Sequence, residues 1–372
     1  MLPYFCVGVL AVLGSYLHSL VFVHAKTPLR PSPTFSTTLP GDQPRPAEVR
    51  ALPYAAVAVL LVVFAGVRYS TGSDYFLYLS LYQVVDTTSL SAAISGSTQG
   101  IGFATLMFVL KALTDYDYVI FWASALLTVL PVLLAVKRRS ADPIYALFLY
   151  FFLGYYAVSF NAVRQSIAVS FLLLADTYRQ ESTAKYWILS ILAMLVHSSA
   201  IVLVLMQLVV HWWKPTYLSA ISILVLTVPL SFVILNSGAL ATIASILNPR
   251  YEMYLQGEGA GFGTILLLLV KLSLIIFVLS LPKVRDSDRY IAFVCLSAIF
   301  LYLGLFTWVI ARLEIYFGIF IVILLPNQLA AWKHGRLAKI LLGVVFLVYF
   351  AIYISNYNAL IPFAVVPELR WW

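Results

Sequence analysis

Four arginines stand in settings suited to anion chemistry. They read Arg68-Tyr69-Ser70-Thr71-Gly72-Ser73-Asp74-Tyr75-Phe76-Leu77-Tyr78, Asn161-Ala162-Val163-Arg164-Gln165, Asn248-Pro249-Arg250-Tyr251-Glu252-Met253-Tyr254 and Arg312-Leu313-Glu314-Ile315-Tyr316-Phe317. A guanidinium presents a planar fork of donors that matches phosphate oxygens, and it stays charged at membrane depth, where it needs a partner. Two or three of them converging on one vestibule would clamp a pyrophosphate. The nearby Tyr75, Tyr78, Tyr251, Tyr254 and Tyr316 offer ring faces to sugars and hydroxyls for hydrogen bonds, and Gln165 adds an amide. His197, in Leu195-Val196-His197-Ser198-Ser199-Ala200, is of the type that accepts a proton near neutral pH. Asp74 is either a second proton acceptor or the ion-pair partner of Arg68, and Glu314 is expected to pair with Arg312.

Each of these residues also has a structural reading. An arginine at a helix end is commonly a snorkelling anchor, tyrosines near an interface form an aromatic belt, and a histidine in a turn can be a packing residue. Arg164 stands apart because it interrupts a long apolar stretch at its turn. No group of His, Asp, Glu or Cys has the spacing of a metal site, and no Gly-rich phosphate loop with its lysine occurs, so neither metal, cofactor nor ATP hydrolysis is expected.

The elements that must position these residues are membrane helices. Of the 372 residues 62% are apolar and only 10% charged, whereas a soluble domain carries about a quarter charged. The apolar residues come in blocks long enough to span a bilayer, and the alternation of a β-barrel is missing. The blocks predict an all-α polytopic membrane protein with about twelve spans (ten to fourteen), near 3–25, 51–67, 117–136, 143–159, 163–177, 186–197, 199–212, 216–235, 263–281, 290–310, 313–331 and 337–360. Residues 100–113 are short and carry Lys111, which predicts an interfacial helix.

The formal charge of +8 does not indicate nucleic acid, because the basic residues punctuate the gaps between apolar runs instead of lining one stripe. With the N-terminus outside, 16 of the 23 Lys and Arg fall in inner loops, the asymmetry that orients membrane proteins. This topology needs a break near 159–166 and a turn at His197, and it puts the four arginine segments outside. It leaves loops 68–116 and 236–262 outside, with interfacial helices, and a Pro/Ser/Thr-rich linker 26–50 inside, too polar to pack. The N-terminus lacks the basic start of a signal peptide, so the first run is expected to be a retained span of a single transmembrane domain, 1–372.

In this order and topology the motifs resemble the EpsG-type branch of the Wzy repeat-unit polymerases. Those bacterial membrane proteins join undecaprenyl-pyrophosphate-linked oligosaccharides into O-antigen, capsule or exopolysaccharide. The resemblance rests on Arg68 with Gly72, Asp74, Tyr75 and Tyr78 after the second span, and on Arg164-Gln165 opening a central helix. It continues with Lys185 leading to His197, Ser199 and Ala200, and with Arg312 before Tyr316 and Phe317. It covers residues 51 to 331. Where such proteins often carry a Glu-Pro-Gly-Phe-like segment, this chain has Gln99-Gly100-Ile101-Gly102-Phe103, without the glutamate.

The resemblance implies a GT-C-like membrane glycosyltransferase in the bacterial inner membrane, working on its periplasmic face without metal. Lipid-linked glycans would be donor and acceptor, with a chain-length regulator and a flippase as partners. Arg164 with Arg312 or Arg250 would clamp the pyrophosphate, and His197 or Asp74 would take the hydroxyl proton. Three other classes remain: an O-antigen ligase, which usually shows one large outer loop; a glycan-modifying acyltransferase, expected to place its essential histidine early; and a transporter or flippase, expected to show an internal repeat.

Overall fold

The computed structural model describes residues 1–23, 51–210, 213, 215–236, 262–306, 308–356 and 359–367. The linker 26–50 and, within the loop 236–262, Arg250, Tyr251 and Tyr254 lie outside the described residues.

The apolar blocks are helical because a backbone without water must satisfy its own hydrogen bonds. In chain order the structure has α1 (Leu2–Val23), α2 (Ala51–Gly66), a two-residue strand β1 (Arg68–Tyr69), α3 (Tyr75–Gln83), α4 (Leu90–Ser95), α5 (Ile101–Leu113) and α6 (Val119–Arg139). Then come α7 (Pro143–Phe152), the single turn α8 (Tyr155–Val158), α9 (Val163–Tyr178), α10 (Thr183–Val196), α11 (Ala200–Val210) and α12 (Tyr217–Asn236). The last part holds α13 (Phe262–Ser280), α14 (Ser287–Gly304), α15 (Trp308–Ala311), α16 (Glu314–Gly318), α17 (Ile321–Ala331), α18 (Gly335–Asn356) and β2 (Ala364–Val365).

Within the described residues every expected span overlaps helix, and the chain breaks at 159–162 and at His197 as the topology required. The described residues do not by themselves confirm the count of about twelve crossings. Among the described residues five helices are long and apolar enough to cross a bilayer: Val119–Arg139, Gly263–Ser280, Ser287–Gly304, Glu314–Ala331 and Gly335–Asn356. The reason is length. Ten residues in α7 rise about 15 Å and fourteen in α10 about 21 Å, short of a hydrocarbon core of roughly 30 Å.

Helix α9 lies at the centre, packed against both α6 and α10, while α14 packs against α13 and α16. A large core joins α1, α2, the second half of α6, α7, α9 and the C-terminal helices. A second, smaller core is built by the 68–116 segment itself. Tyr75, Tyr78 and Tyr82 of α3 with Phe103 and Met107 of α5 pack on Phe121 of α6, Val163 of α9 and Val196 of α10. This segment is therefore a folded cap seated on helix ends. Lys111, at the end of α5, is pinned by Asp117 at 2.9 Å, and the same carboxylate accepts from Gln83 at 2.8 Å.

The C-terminus straps the cap down. β2 pairs antiparallel with β1, aligning Arg68 with Val365, and Phe363 stacks on Phe64 with ring centroids 4.2 Å apart. At Gly72 the backbone has φ +100°, and an added Cβ would lie 2.5 Å from Asn161 Oδ1. That oxygen accepts from the Ser73 N–H at 2.8 Å, tying the cap to the start of α9. Gly72→Ala should cost about 1–3 kcal/mol from backbone strain and lost fit; thermal unfolding of the purified protein would show it, and an unchanged midpoint would refute the strain.

Among the described residues, basic side chains read as inner gather at the other end of the bundle. Arg289 pairs bidentately with the buried Asp176, Arg138 and Arg139 both reach Glu181, Arg285 donates to Gln180, and Lys339 meets Asp142 at 2.6 Å. The chain thus has one strongly basic end, as the loop charges required.

Candidate active site

The end opposite the basic one holds Arg164 and His197. Arg164 sits in the first turn of α9, reached after the one-turn α8 and the tight turns at 159–162. The chain arrives there from α7 and leaves towards Tyr178, so the break is what brings a guanidinium to the helix mouth. Arg164 donates to the carbonyl of Gln99 at 2.5 Å. Gln99 precedes α5, and the start of α5 is pressed against the C-terminal end of α10: an added Cβ at Gly102 would meet the Leu195 backbone at 2.8 Å. The departure from the Glu-Pro-Gly-Phe pattern therefore lies at the site, and it is the backbone of this segment that contacts Arg164.

His197 is the residue at which α10 stops. Its backbone is extended (φ −149°, ψ 110°), and its N–H closes the last turn on Ala193. Ser198 and Ser199 complete the turn into α11. The Ser199 hydroxyl is 3.1 Å from the hydroxyl of Tyr316, which is fully buried. Arg312 lies in the turn between α15 and α16, and Gln165, the neighbour of Arg164, donates its amide to the Arg312 carbonyl. Three segments distant in sequence are thus fastened to one another.

The electrostatics report the same convergence. Burial first, then the charges of Arg164 and Arg312, push the His197 imidazole from its ordinary 6.5 down to about 3. At neutral pH it is therefore a neutral ring within reach of the charge on both arginines. Because unfolded histidine titrates near 6.5 and folded His197 near 3, the unfolded state binds the extra proton between those values. Stability is therefore full above about pH 6.5 and is lost as pH falls toward 3. Unfolding midpoints from pH 7 down to pH 4 should fall more steeply in the wild type than in His197→Gln, and parallel curves would show that the imidazole is not so shifted.

The other expected residues are placed differently. Arg68 is buried, donates to the Ala65 carbonyl at 2.8 Å, and lies over the rings of Phe160 and Phe121 at 4.6 and 4.9 Å. Burial lowers its pKa to about 10. Asp74 is therefore not its partner; that carboxylate accepts from the Ser73 hydroxyl at 3.0 Å at the start of α3. Nor is Asp74 among the charges that act on His197. Tyr75, expected to offer a face to a sugar, gives it to Phe121, with ring centroids 4.3 Å apart and 10° between planes. Tyr78 packs edge-on against Phe103. The cap's own folding consumes these rings.

Glu314 corrects a further expectation. It pairs not with Arg312 but with Lys271 of α13, 2.7 Å away, and both side chains are almost wholly buried. Lys271 also donates to the Tyr155 hydroxyl. Arg312 lies in the turn before α16 while Glu314 opens that helix, and an internal carboxylate in an apolar bundle requires a cation beside it. Lys271 inside a span was the visible signal; its partner, 43 positions on, was not. Asn161, which ties the cap to α9, and the C-terminal strap carried no signal that sequence reasoning could use.

Clustered this way, Arg164, Arg312 and His197 can neutralise a dianionic group beside a proton acceptor. The sequence pattern described as the EpsG family matches residues 52–367, nearly the whole chain. Among curated proteins and among solved structures nothing matches the chain.

Proposed function

We propose, from the premise that this chain belongs to the EpsG family, that it joins lipid-pyrophosphate-linked oligosaccharide repeat units into a longer glycan. Membership makes it a membrane protein of polysaccharide biosynthesis with a polymerase-type role; the donor, the face of the membrane and the residue roles are our reading. The observation that supports it most is that Gln165, the neighbour of Arg164, is tied to Arg312, with a buried His197 close enough for both charges to depress its basicity.

The chemistry follows from those groups. An acceptor sugar hydroxyl attacks the anomeric carbon of the donor; the new C–O bond forms as the bond to the pyrophosphate oxygen breaks, and that electron pair leaves on the lipid pyrophosphate. Charge develops on the leaving oxygens, where two arginines held by the fold can meet it without reorganising. Guanidinium groups suffice for that task. The hydroxyl proton passes to the His197 ring. With the site empty, burial and, after it, two cations hold the ring neutral; a bound pyrophosphate offsets the cations and raises its basicity when it is needed.

The same reading sets the orientation. The basic end faces the cytoplasm and the His197 end the periplasm of a bacterial inner membrane, so undecaprenyl-pyrophosphate glycans reach the site after a flippase has delivered them, and a chain-length regulator would act beside it. The test is genetic and direct. A strain lacking this chain should make single-repeat glycans, and the wild-type chain should restore a ladder of lengths on a gel. Full-length polymer in the deletion strain would refute the reading.

A further inference from the structure

The two arginines of the site are held in different ways. Arg164 stands in the sixteen-residue α9, whereas Arg312 lies between the four-residue α15 and the five-residue α16. Helices that short are not stable alone, because the first turn fixes several residues for one hydrogen bond. The place of Arg312 is therefore set by what its neighbours hold.

Those contacts can be named. On one side Ala311 lies against the end of α14, where a Cβ added to Gly304 would come 2.4 Å from the Ala311 Cβ. On the other, Glu314 meets Lys271 of α13, and Tyr316 meets Ser199 of the turn after His197. A further tie falls on the Arg312 backbone itself and comes from α9: Gln165 donates its side-chain amide to the Arg312 carbonyl. Gln165 is only 5% exposed, so that amide is spent inside the protein. The Arg312 side chain, by contrast, is exposed.

Successive residues of a helix point about 100° apart, so Arg164 and Gln165 divide the first turn of α9 between them. Arg164 reaches the Gln99 carbonyl of the cap, and Gln165 reaches the segment that carries the second arginine. We propose that Gln165 is a positioning residue, a strut that sets the separation of Arg164 and Arg312 without touching the substrate. One hydrogen bond from the neighbour of Arg164 fixes the backbone from which Arg312 reaches, and preorganised charge is worth most when it need not move during the reaction. What the paired arginines act on rests on the polymerase reading; the strut rests on the hydrogen bond.

Gln165→Met keeps the length of the side chain and removes the donor. With purified full-length protein and lipid-linked repeat units, its kcat should fall about 10- to 100-fold, the order of loss from a misplacement near 1 Å, while KM for the donor stays close to wild type. Added to Arg312→Ala it should cost nothing further, because the strut then has no guanidinium to position. A residue needed only for folding would multiply the loss in the double variant, and that result would overturn the proposal, as would wild-type kcat in Gln165→Met. Hydrogen exchange on the same proteins reads the strut without any reaction. Exchange in 310–318 should quicken in Gln165→Met while the rest of the chain keeps its wild-type rates. Unchanged exchange in that segment, or faster exchange throughout the chain, would overturn the strut even if the wild type polymerises. Local quickening in a chain that makes no polymer would uphold the strut and refute the polymerase reading instead.

Discussion

Arg164→Ala should reduce polymer formation about 100- to 1000-fold, the loss that follows removal of one fixed donor from a developing negative charge. On a gel of surface glycan the ladder would collapse to single repeats while the protein stays at wild-type abundance in the membrane. Arg164 also holds the Gln99 carbonyl at 2.5 Å, so a purely architectural role has to be separated from an electrostatic one. Two variants do so. Gln99→Ala keeps the backbone carbonyl and should leave the ladder unchanged. Arg164→Lys keeps the charge and loses the planar fork, and should shorten the ladder to an intermediate length. Wild-type ladders from Arg164→Lys would count against a clamp.

The second large effect is expected away from the reacting groups. Lys271→Met strands the Glu314 carboxylate in an apolar interior, and breaking such a buried pair costs about 3–5 kcal/mol. Glu314→Gln strands the ammonium in turn. The double variant Lys271→Met with Glu314→Gln removes both charges and should recover much of that loss, so a double-mutant cycle reads the coupling. Thermal unfolding of the purified protein measures it, and additive single losses would show that the 2.7 Å pair does not act as a unit. The pair has a consequence for the site too. Glu314 opens the five-residue helix that also carries Tyr316, and Arg312 lies two residues before it. Loosening α16 from α13 therefore moves Arg312 and breaks the contact between Tyr316 and Ser199. The single variants should lose activity together with stability.

The buried pair also shows why a few arginines were easy to find and hard to assign. In a soluble helix the polar face is visible in the sequence, and the opposite face is the core. Here the helices are apolar nearly all round, so the sequence does not say which side meets lipid and which meets protein. Tyr75 and Tyr78 were legible as aromatic residues beside an arginine. Their use as the core of the cap, stacked on Phe121 and Phe103, was not.

Local features came through plainly. Hydropathy alone located the helices, because it is a property of consecutive residues. The breaks before Arg164 and at His197 were legible as polar interruptions of apolar runs, and the uneven spread of Lys and Arg separated the two ends of the bundle. The sequence by itself thereby determined a helical membrane protein with an uneven spread of basic residues, and its ordered motifs pointed to the EpsG family.

Only the tertiary structure decided which groups meet. Arg164, His197 and Arg312 are 33 and 115 positions apart in succession, and no periodicity links them. Lys271 with Glu314, Asn161 with the cap, and the C-terminal strand with Arg68 are likewise contacts between distant segments. Five helices among the described residues have bilayer-crossing length, and how the shorter apolar helices such as α7 and α10 sit is a matter of packing that hydropathy does not decide. Composition fixes the medium in which each segment is stable, while pairing depends on side-chain shape and on the cost of leaving a buried charge alone, and both are settled only when the helices pack.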